Sequence, residues 1–227
     1  MKLLAIETAT MLGGLAIMDG MTLVAESRIN VKVTHSERLM KEIDHVLSGA
    51  GMDLGDIDVF GISAGPGSFT GLRVGLSTIK GLVYATGKKF VAVPTLEAFA
   101  WNIPFSDFQI CPLLDARRKE VYTAVFKWSK DRFLMVIDEQ AIKIGDLLPR
   151  IDAPTVFLGE GALLNRETIE RELGEKAFFG APQHMVPSPA NVALLCMKKA
   201  ENGDYSDALT AVPAYLRRSE AEIKSGS

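Results

Sequence analysis

The sequence predicts an α/β protein in which a mixed-sheet unit is followed by a second unit of the same plan. Three observations carry that expectation. The chain has 227 residues, 48% hydrophobic and 23% charged, which gives ample material for a packed core and excludes disorder, collagen-like repeats and a disulfide-stapled miniprotein. Lys2 to Glu7 is an apolar run that ends in an acid and leads into a hairpin. The same order starts again at Gln109 to Asp115.

Taken in order, Lys2–Glu7 is a first strand, Gly14–Met18 a second and Met21–Ser27 a third, with Asp19-Gly20 as the hairpin turn. Thr34 or Ser36 caps a helix whose apolar positions Leu39, Ile43, Val46 and Leu47 share one face, and Gly49-Ala50-Gly51 ends it. Ile57–Ser63 reads as a buried strand. A Gly-rich turn, a helix from Ser68 to Thr86, a strand at Val91–Val93 and a short helix over Thr95–Trp101 follow. The second unit opens with strands at Gln109–Asp115, Val121–Trp128 and Phe133–Ile142, the last two joined by Ser129-Lys130-Asp131. A strand at Thr155–Leu158 and helices near Leu163–Leu173 and Asn191–Glu201 complete it. The expected domains are 1–103 and 104–227, divided near Asn102-Ile103-Pro104. Each is a mixed sheet that opens with three antiparallel strands.

Charge and cysteine content narrow the function classes. With 25 basic and 28 acidic side chains the net charge is −3, without the basic surplus of a chain that grips nucleic acid alone. Its basic residues fall in separate pairs and triples: Lys88-Lys89, Arg117-Arg118-Lys119, Lys198-Lys199 and Arg217-Arg218. Cys111 and Cys196 are too few for a disulfide framework or a thiolate cage and read as buried, reduced thiols. The first apolar run is too short for a signal-peptide core, and no segment approaches the ~20 apolar residues of a membrane span. A soluble, cytoplasmic protein is expected.

The segment Gly65-Pro66-Gly67-Ser68-Phe69-Thr70-Gly71-Leu72-Arg73-Val74-Gly75 follows a strand and opens a helix, where backbone N–H groups can receive an anion. Gly65 and Gly67 permit positive φ, Pro66 stiffens the turn and Ser68 can cap the helix. A tight structural turn, with Gly71 and Gly75 letting the helix approach a neighbour, accounts for the same residues. Both readings stand at this point. The segment lacks the Lys of a phosphate loop and the spacing of a dinucleotide motif.

Together with Ile6-Glu7-Thr8-Ala9-Thr10, Thr34-His35-Ser36-Glu37, Asp115-Ala116-Arg117-Arg118-Lys119-Glu120-Val121-Tyr122 and Pro213-Ala214-Tyr215-Leu216-Arg217, this segment resembles the TsaB (YeaZ) family from end to end. The resemblance implies a duplicated actin-like, ribonuclease H-like fold. It also implies a part in making the threonylcarbamoyl group on adenosine 37 of tRNAs that read codons beginning with A. Gly65, Pro66, Gly67, Ser68, Thr70, Gly71 and Arg73 are the family-motif residues. The partners it implies are a TsaD-like catalytic subunit and a TsaE-like ATPase, with ATP required by the complex and tRNA reached only through it.

TsaD, the catalytic relative, carries a helical His-x-x-x-His metal pair after the third core strand of its first domain. The matching stretch here is Thr95-Leu96-Glu97-Ala98-Phe99, and a hydroxyl and a phenyl ring cannot replace two imidazoles as ligands. Glu42-x-x-His45 has a ligand-like spacing but lacks the second copy that such sites need. No metal, catalytic residue or firmly bound cofactor is expected. Where actin-like ATPases hold phosphates and adenosine, this chain has Glu7–Thr10, Asp115–Arg118 and Gly159-Glu160-Gly161, the second with two bulky cations. Thr8, Asp115, Arg117, Arg118 and Gly159 are the candidates for any remaining nucleotide or phosphate contact.

The working surface is expected on two helices. The helix after Ser68 carries Leu72, Leu76, Ile79 and Val83 at helical spacing, with Gly71, Gly75 and Gly81 beside them, and its neighbour carries Leu39, Ile43 and Val46. Core packing claims part of each stripe. Yet Arg73 and Lys80 are the only charges between Ser68 and Thr86, which points to cover on a second side. The expected interface is therefore Leu39, Ile43, Val46, Leu72, Leu76, Ile79 and Val83, packed against a TsaD-like subunit or, when the chain is alone, a second copy. A noncatalytic partner is thus set against a stand-alone actin-fold ATPase or small-molecule kinase and against a metallopeptidase.

Overall fold

Strands β1 (Lys2–Glu7), β2 (Gly13–Asp19) and β3 (Thr22–Ile29) form an antiparallel meander, because β1 and β2 are almost wholly apolar and Gly20, at φ +54, turns the β2–β3 hairpin. The computed structural model describes residues 1–29 and 35–216. Thr34, one expected cap, and the Arg217-Arg218 pair lie outside them. Helix α1 (His35–Gly49) places Ser36, the other expected cap, inside its first turn. Strand β4 (Val59–Ser63), helix α2 (Phe69–Thr86), strand β5 (Lys89–Val93) and helix α3 (Thr95–Ala100) follow. β1 runs parallel to β4 and β4 to β5, which gives the order β3-β2-β1-β4-β5.

Strand alternation decides which helices cover which face. Leu4, Ile6, Leu15, Ile17, Phe60 and Ile62 point to one side, where Leu39, Ile43, Val46 and Leu47 of α1 and Leu76, Ile79 and Leu82 of α2 bury them in one core. Gly61 faces the other side.

The second unit repeats the plan with β6 (Gln109–Asp115), β7 (Glu120–Ser129) and β8 (Arg132–Lys143), then α4 (Ile144–Leu147), β9 (Thr155–Leu158), α5 (Glu160–Leu164), α6 (Arg166–Leu173) and β10 (Ala177–Phe179). Its order, β8-β7-β6-β9-β10, is that of the first sheet element for element. Cys111, Leu113, Val121, Val125, Phe157 and Ile169 centre its core. Trp101, Trp128, Phe126 and Phe133 form a separate aromatic cluster with ring centroids 4.9 to 5.7 Å apart.

The last helix, α7 (Pro189–Glu201), corrects the expected domain division. It packs on β1, β2, β4 and β5, so Ser188–Ala214 joins Met1–Ala98 in the first unit while Phe99–Pro187 builds the second. The physical cause is the uncovered face of the first sheet. Gly61 has no side chain there, and Cys196 fills the space: a Cβ on Gly61 would lie 2.9 Å from its Sγ. The start of α7 is tied to β3, where Glu26 accepts hydrogen bonds from Ser188 Oγ (2.8 Å) and Ala190 N–H (3.2 Å). Burial alone would raise the Glu26 carboxyl, but Arg28, Ser188 and Ala190 outweigh it and hold it below its ordinary value. Both cysteines are free and buried, and that burial pushes their thiols up to about 12.

Candidate functional site

The Gly65–Gly75 segment joins β4 to α2, and three of its N–H groups turn inward. Gly65 N–H donates to Thr95 Oγ1 (3.0 Å), Ser68 N–H to the Ala9 carbonyl (2.7 Å), and Gly71 N–H to Ser68 Oγ (3.3 Å). Ser68 is the N-cap, as its position in the sequence predicts. Gly65 has φ +122, and the Gly65–Pro66 peptide is cis. Ala214 covers this turn, its N–H donating to the Ala64 carbonyl at 2.7 Å. Gly67 departs from expectation: its φ is not positive, and the residue is there because a Cβ would meet the Ala9 carbonyl oxygen at 2.5 Å. These contacts favour the structural turn over an anion cradle.

Gly71 and Gly75 do permit close approach, and the neighbour is the chain after β1. A Cβ on Gly71 would overlap the Thr8 carbonyl oxygen, and one on Gly75 would overlap Thr8 Oγ1. Thr8 is thereby fully buried under α2, which removes it from the candidates for a nucleotide contact. Glu7 beside it is also fully buried. Burial pushes its carboxyl up to about 7, while the nearby Ser63 hydroxyl and the Ala9 N–H pull it part of the way back. Glu7 Oε2 and Ser63 Oγ nevertheless lack a partner within hydrogen-bond geometry.

The expected interface residues need the largest correction. Leu39, Ile43, Val46, Leu72, Leu76 and Ile79 are all buried within this chain, and Val83 packs against the same core. The apolar stripe that marks a helix is the stripe its own sheet claims. What α1 and α2 expose is different: Met40 (54%), Lys41, Asp44, His45 and Ser48 on α1, and Thr70, Arg73, Ser77, Gly81, Tyr84 (94%) and Ala85 on α2. The Arg73 guanidinium lies 3.7 Å from the centre of the Phe69 ring.

In the second unit, Asp115 ends β6 and is engaged with its own turn. It accepts the Arg117 N–H (2.8 Å) and pairs with the Arg117 guanidinium (3.3 Å). Gly159 opens α5 against β6, where a Cβ would overlap the Leu113 carbonyl oxygen. Glu160 has an exposed residue surface, yet desolvation pushes its carboxyl up. Asp115's charge adds to that rise, and backbone N–H groups and Arg117 oppose it. Asp115, Arg117, Gly159 and Glu160 therefore share one place.

Thr95 is buried with its hydroxyl held by Gly65, and Phe99 is buried too. Among the described residues no three His, Cys, Asp or Glu side chains gather as a metal-ligand group. No described helix is long and apolar enough to cross a membrane.

A family model described as "TsaD: tRNA N6-adenosine threonylcarbamoyltransferase" matches residues 25–225. The tRNA threonylcarbamoyladenosine biosynthesis protein TsaB of Bacillus subtilis is 34% identical over 227 residues, covering 99% of this chain and 97% of the relative. The chain belongs to the TsaB family. The TsaB of Escherichia coli is 31% identical over 130 residues, 56% of this chain and 55% of that relative. YeaZ from Pseudomonas aeruginosa superposes with a TM-score of 0.79 at 22% identity, over 95% of this chain and 99% of that one. Component A of (R)-2-hydroxyglutaryl-CoA dehydratase from Acidaminococcus fermentans gives 0.53 at 14% identity, over 88% and 99%. These likenesses and the repeated strand order make the fold of this TsaB-family chain a duplicated actin-like one.

Sequence reasoning missed the Glu26–Ser188 tie. The two-residue alternation that places Glu26 and Arg28 on one face of β3 was its only local signal. It also read Lys119 only as part of a basic run.

Proposed function

We propose that this chain is a noncatalytic subunit in the biosynthesis of threonylcarbamoyladenosine at position 37 of tRNAs reading codons that begin with A. It binds and organises a TsaD-like catalytic subunit in the cytoplasm. The observation that carries this reading is the end-to-end match to the Bacillus subtilis biosynthesis protein. Three features support the noncatalytic part. Thr95 and Phe99 stand where the resemblance puts imidazoles in the catalytic relative, the Gly65, Ser68 and Gly71 N–H groups of the turn after β4 are used internally, and Asp115 is paired with Arg117. Nucleotide is held by the assembly, which includes a TsaE-like ATPase, and not firmly by this chain.

The docking surface is the outward side of α1 and α2, with Met40, Ser77, Gly81 and Tyr84 at its centre. α2 shows small polar residues and few charges there, so a related helix pair can approach closely. An interface of this kind removes on the order of 1,000 Å² or more from water. Alone, the chain covers the same surface with a second copy.

Tyr84→Glu and Ser77→Arg test the surface without touching the core, since exposed substitutions shift stability by only about 0.5 kcal/mol. Each variant is expected to melt like the parent, to run as a monomer on size exclusion and to lose co-elution with the TsaD-like subunit. Folded variants that still dimerise and still co-elute place the interface elsewhere. ATP turnover by the isolated chain that disappears in Asp115→Ala would favour the stand-alone ATPase reading instead.

A further inference from the structure

The β6–β7 turn closes in an expensive way. Ala116 N–H donates to the Glu120 carbonyl (3.0 Å) and Glu120 N–H to the Arg117 carbonyl (2.9 Å). Between those bonds Arg117, Arg118 and Lys119 take φ values of +64, +52 and +63. Three successive side-chain-bearing residues in the left-handed region are each sterically disfavoured, because the Cβ crowds the backbone there. A connection that only had to reverse the chain would place Gly or Asn there. The three residues that occupy it are all cationic and all exposed, Arg117 with 84% of its side chain in solvent.

We propose that the Arg117-Arg118-Lys119 turn is an RNA-backbone contact of this chain, used when a partner subunit holds the tRNA against it. The proposal rests on the reading that the chain works in a tRNA-modifying assembly. Guanidinium and ammonium groups on a rigid turn suit phosphate oxygens, which they bind by charge and by releasing condensed counterions. An acidic protein surface is the other anionic partner. The chain's place in a tRNA-modifying assembly favours RNA over it, and the test below separates the two. The carboxylates nearby are Asp115, Glu120 and Glu160. Asp115 holds Arg117 at 3.3 Å, and Lys143 lies opposite Glu120 in the β7–β8 register. A net charge of −3 over the whole chain keeps this patch too weak to hold RNA tightly by itself. That explains why it needs the assembly.

The test is the triple variant Arg117→Asn, Arg118→Asn, Lys119→Asn. Asn enters the left-handed region more readily than Arg or Lys, so the hairpin keeps its shape and the variant melts no lower than the parent. Each chain is assembled with the TsaD-like subunit and titrated with an unmodified tRNA transcript between about 50 and 200 mM salt. The expected result is unchanged assembly, affinity lower by on the order of 10- to 100-fold, and a log–log salt slope shallower by about 2. Equal affinity and equal slope would overturn the proposal. So would loss of co-elution before RNA is added, which would mark the turn as a protein contact. A parent chain that never assembles would count against the functional reading instead. The two salt slopes measured on the isolated chains at low salt would then decide the turn by the same criterion.

Discussion

Gly71→Ala and Gly81→Ala, the same substitution made ten residues apart in one helix, are expected to shift stability in opposite directions. Ala exceeds Gly in helix propensity by about 1 kcal/mol, so an unobstructed site gains roughly that amount. Gly81 is such a site, with nothing within 4 Å of where the new methyl would stand and solvent around it. At Gly71 the methyl would overlap the Thr8 carbonyl oxygen, a backbone atom that cannot swing aside. Overpacking of this kind costs about 3 kcal/mol or more and outweighs the propensity gain. Urea melts should therefore show Gly81→Ala moving the midpoint up and Gly71→Ala moving it down by a net ~2 kcal/mol or more. A stabilised Gly71→Ala would mean that α2 does not rest on Thr8. It would also return Thr8 to the candidates for ligand contact.

Glu7→Gln is expected to stabilise the protein at pH 8 and to do little at pH 4. In the fold the Glu7 carboxyl is pushed from its ordinary value of 4.5 up to about 7 by burial. Below about 4.5 the folded and unfolded chains both hold the proton, and stability does not depend on it. Between the two values the unfolded chain ionises first, so stability falls as pH rises. Above about 7 the whole penalty is present, about 3 kcal/mol. Gln keeps an oxygen for the Ala9 N–H and brings an amide donor toward Ser63, with no charge to bury. The parent-minus-variant difference should thus open between pH 5 and 7 and stay constant above that range. A difference independent of pH would show that Glu7 is not the group that titrates.

The strands were legible because burial on a sheet writes itself locally. Lys2–Glu7 and Gln109–Asp115 match their observed bounds, and the repeated order they announce is the repeated order of the two sheets. β10 was missed because the three residues Ala177–Phe179 are too few to show a period. The place of α7 was missed because nothing near Asn191 says which sheet lacks a cover; that depends on Gly61, 130 residues away. The candidate interface failed for a related reason. Leu72, Leu76 and Ile79 form the periodic stripe, and periodicity reports the face turned to the core. The outward face of α2, with Ser77, Gly81 and Tyr84, has no pattern of its own. The backbone of Arg117 to Lys119 was equally invisible, since no Gly or Asn marks the turn.

The central claim, that this chain organises a catalytic partner and does not itself carry the chemistry, is tested most directly by reconstitution with omission. An unmodified tRNA transcript is incubated with ATP, a threonylcarbamoyl donor, the TsaD-like subunit and the TsaE-like ATPase, with and without this chain, and the modified adenosine is measured. Product should form only when this chain is present, survive Asp115→Ala and fall away with Tyr84→Glu. Equal product without the chain would contradict the account. So would loss of product in Asp115→Ala when that variant still folds and still assembles.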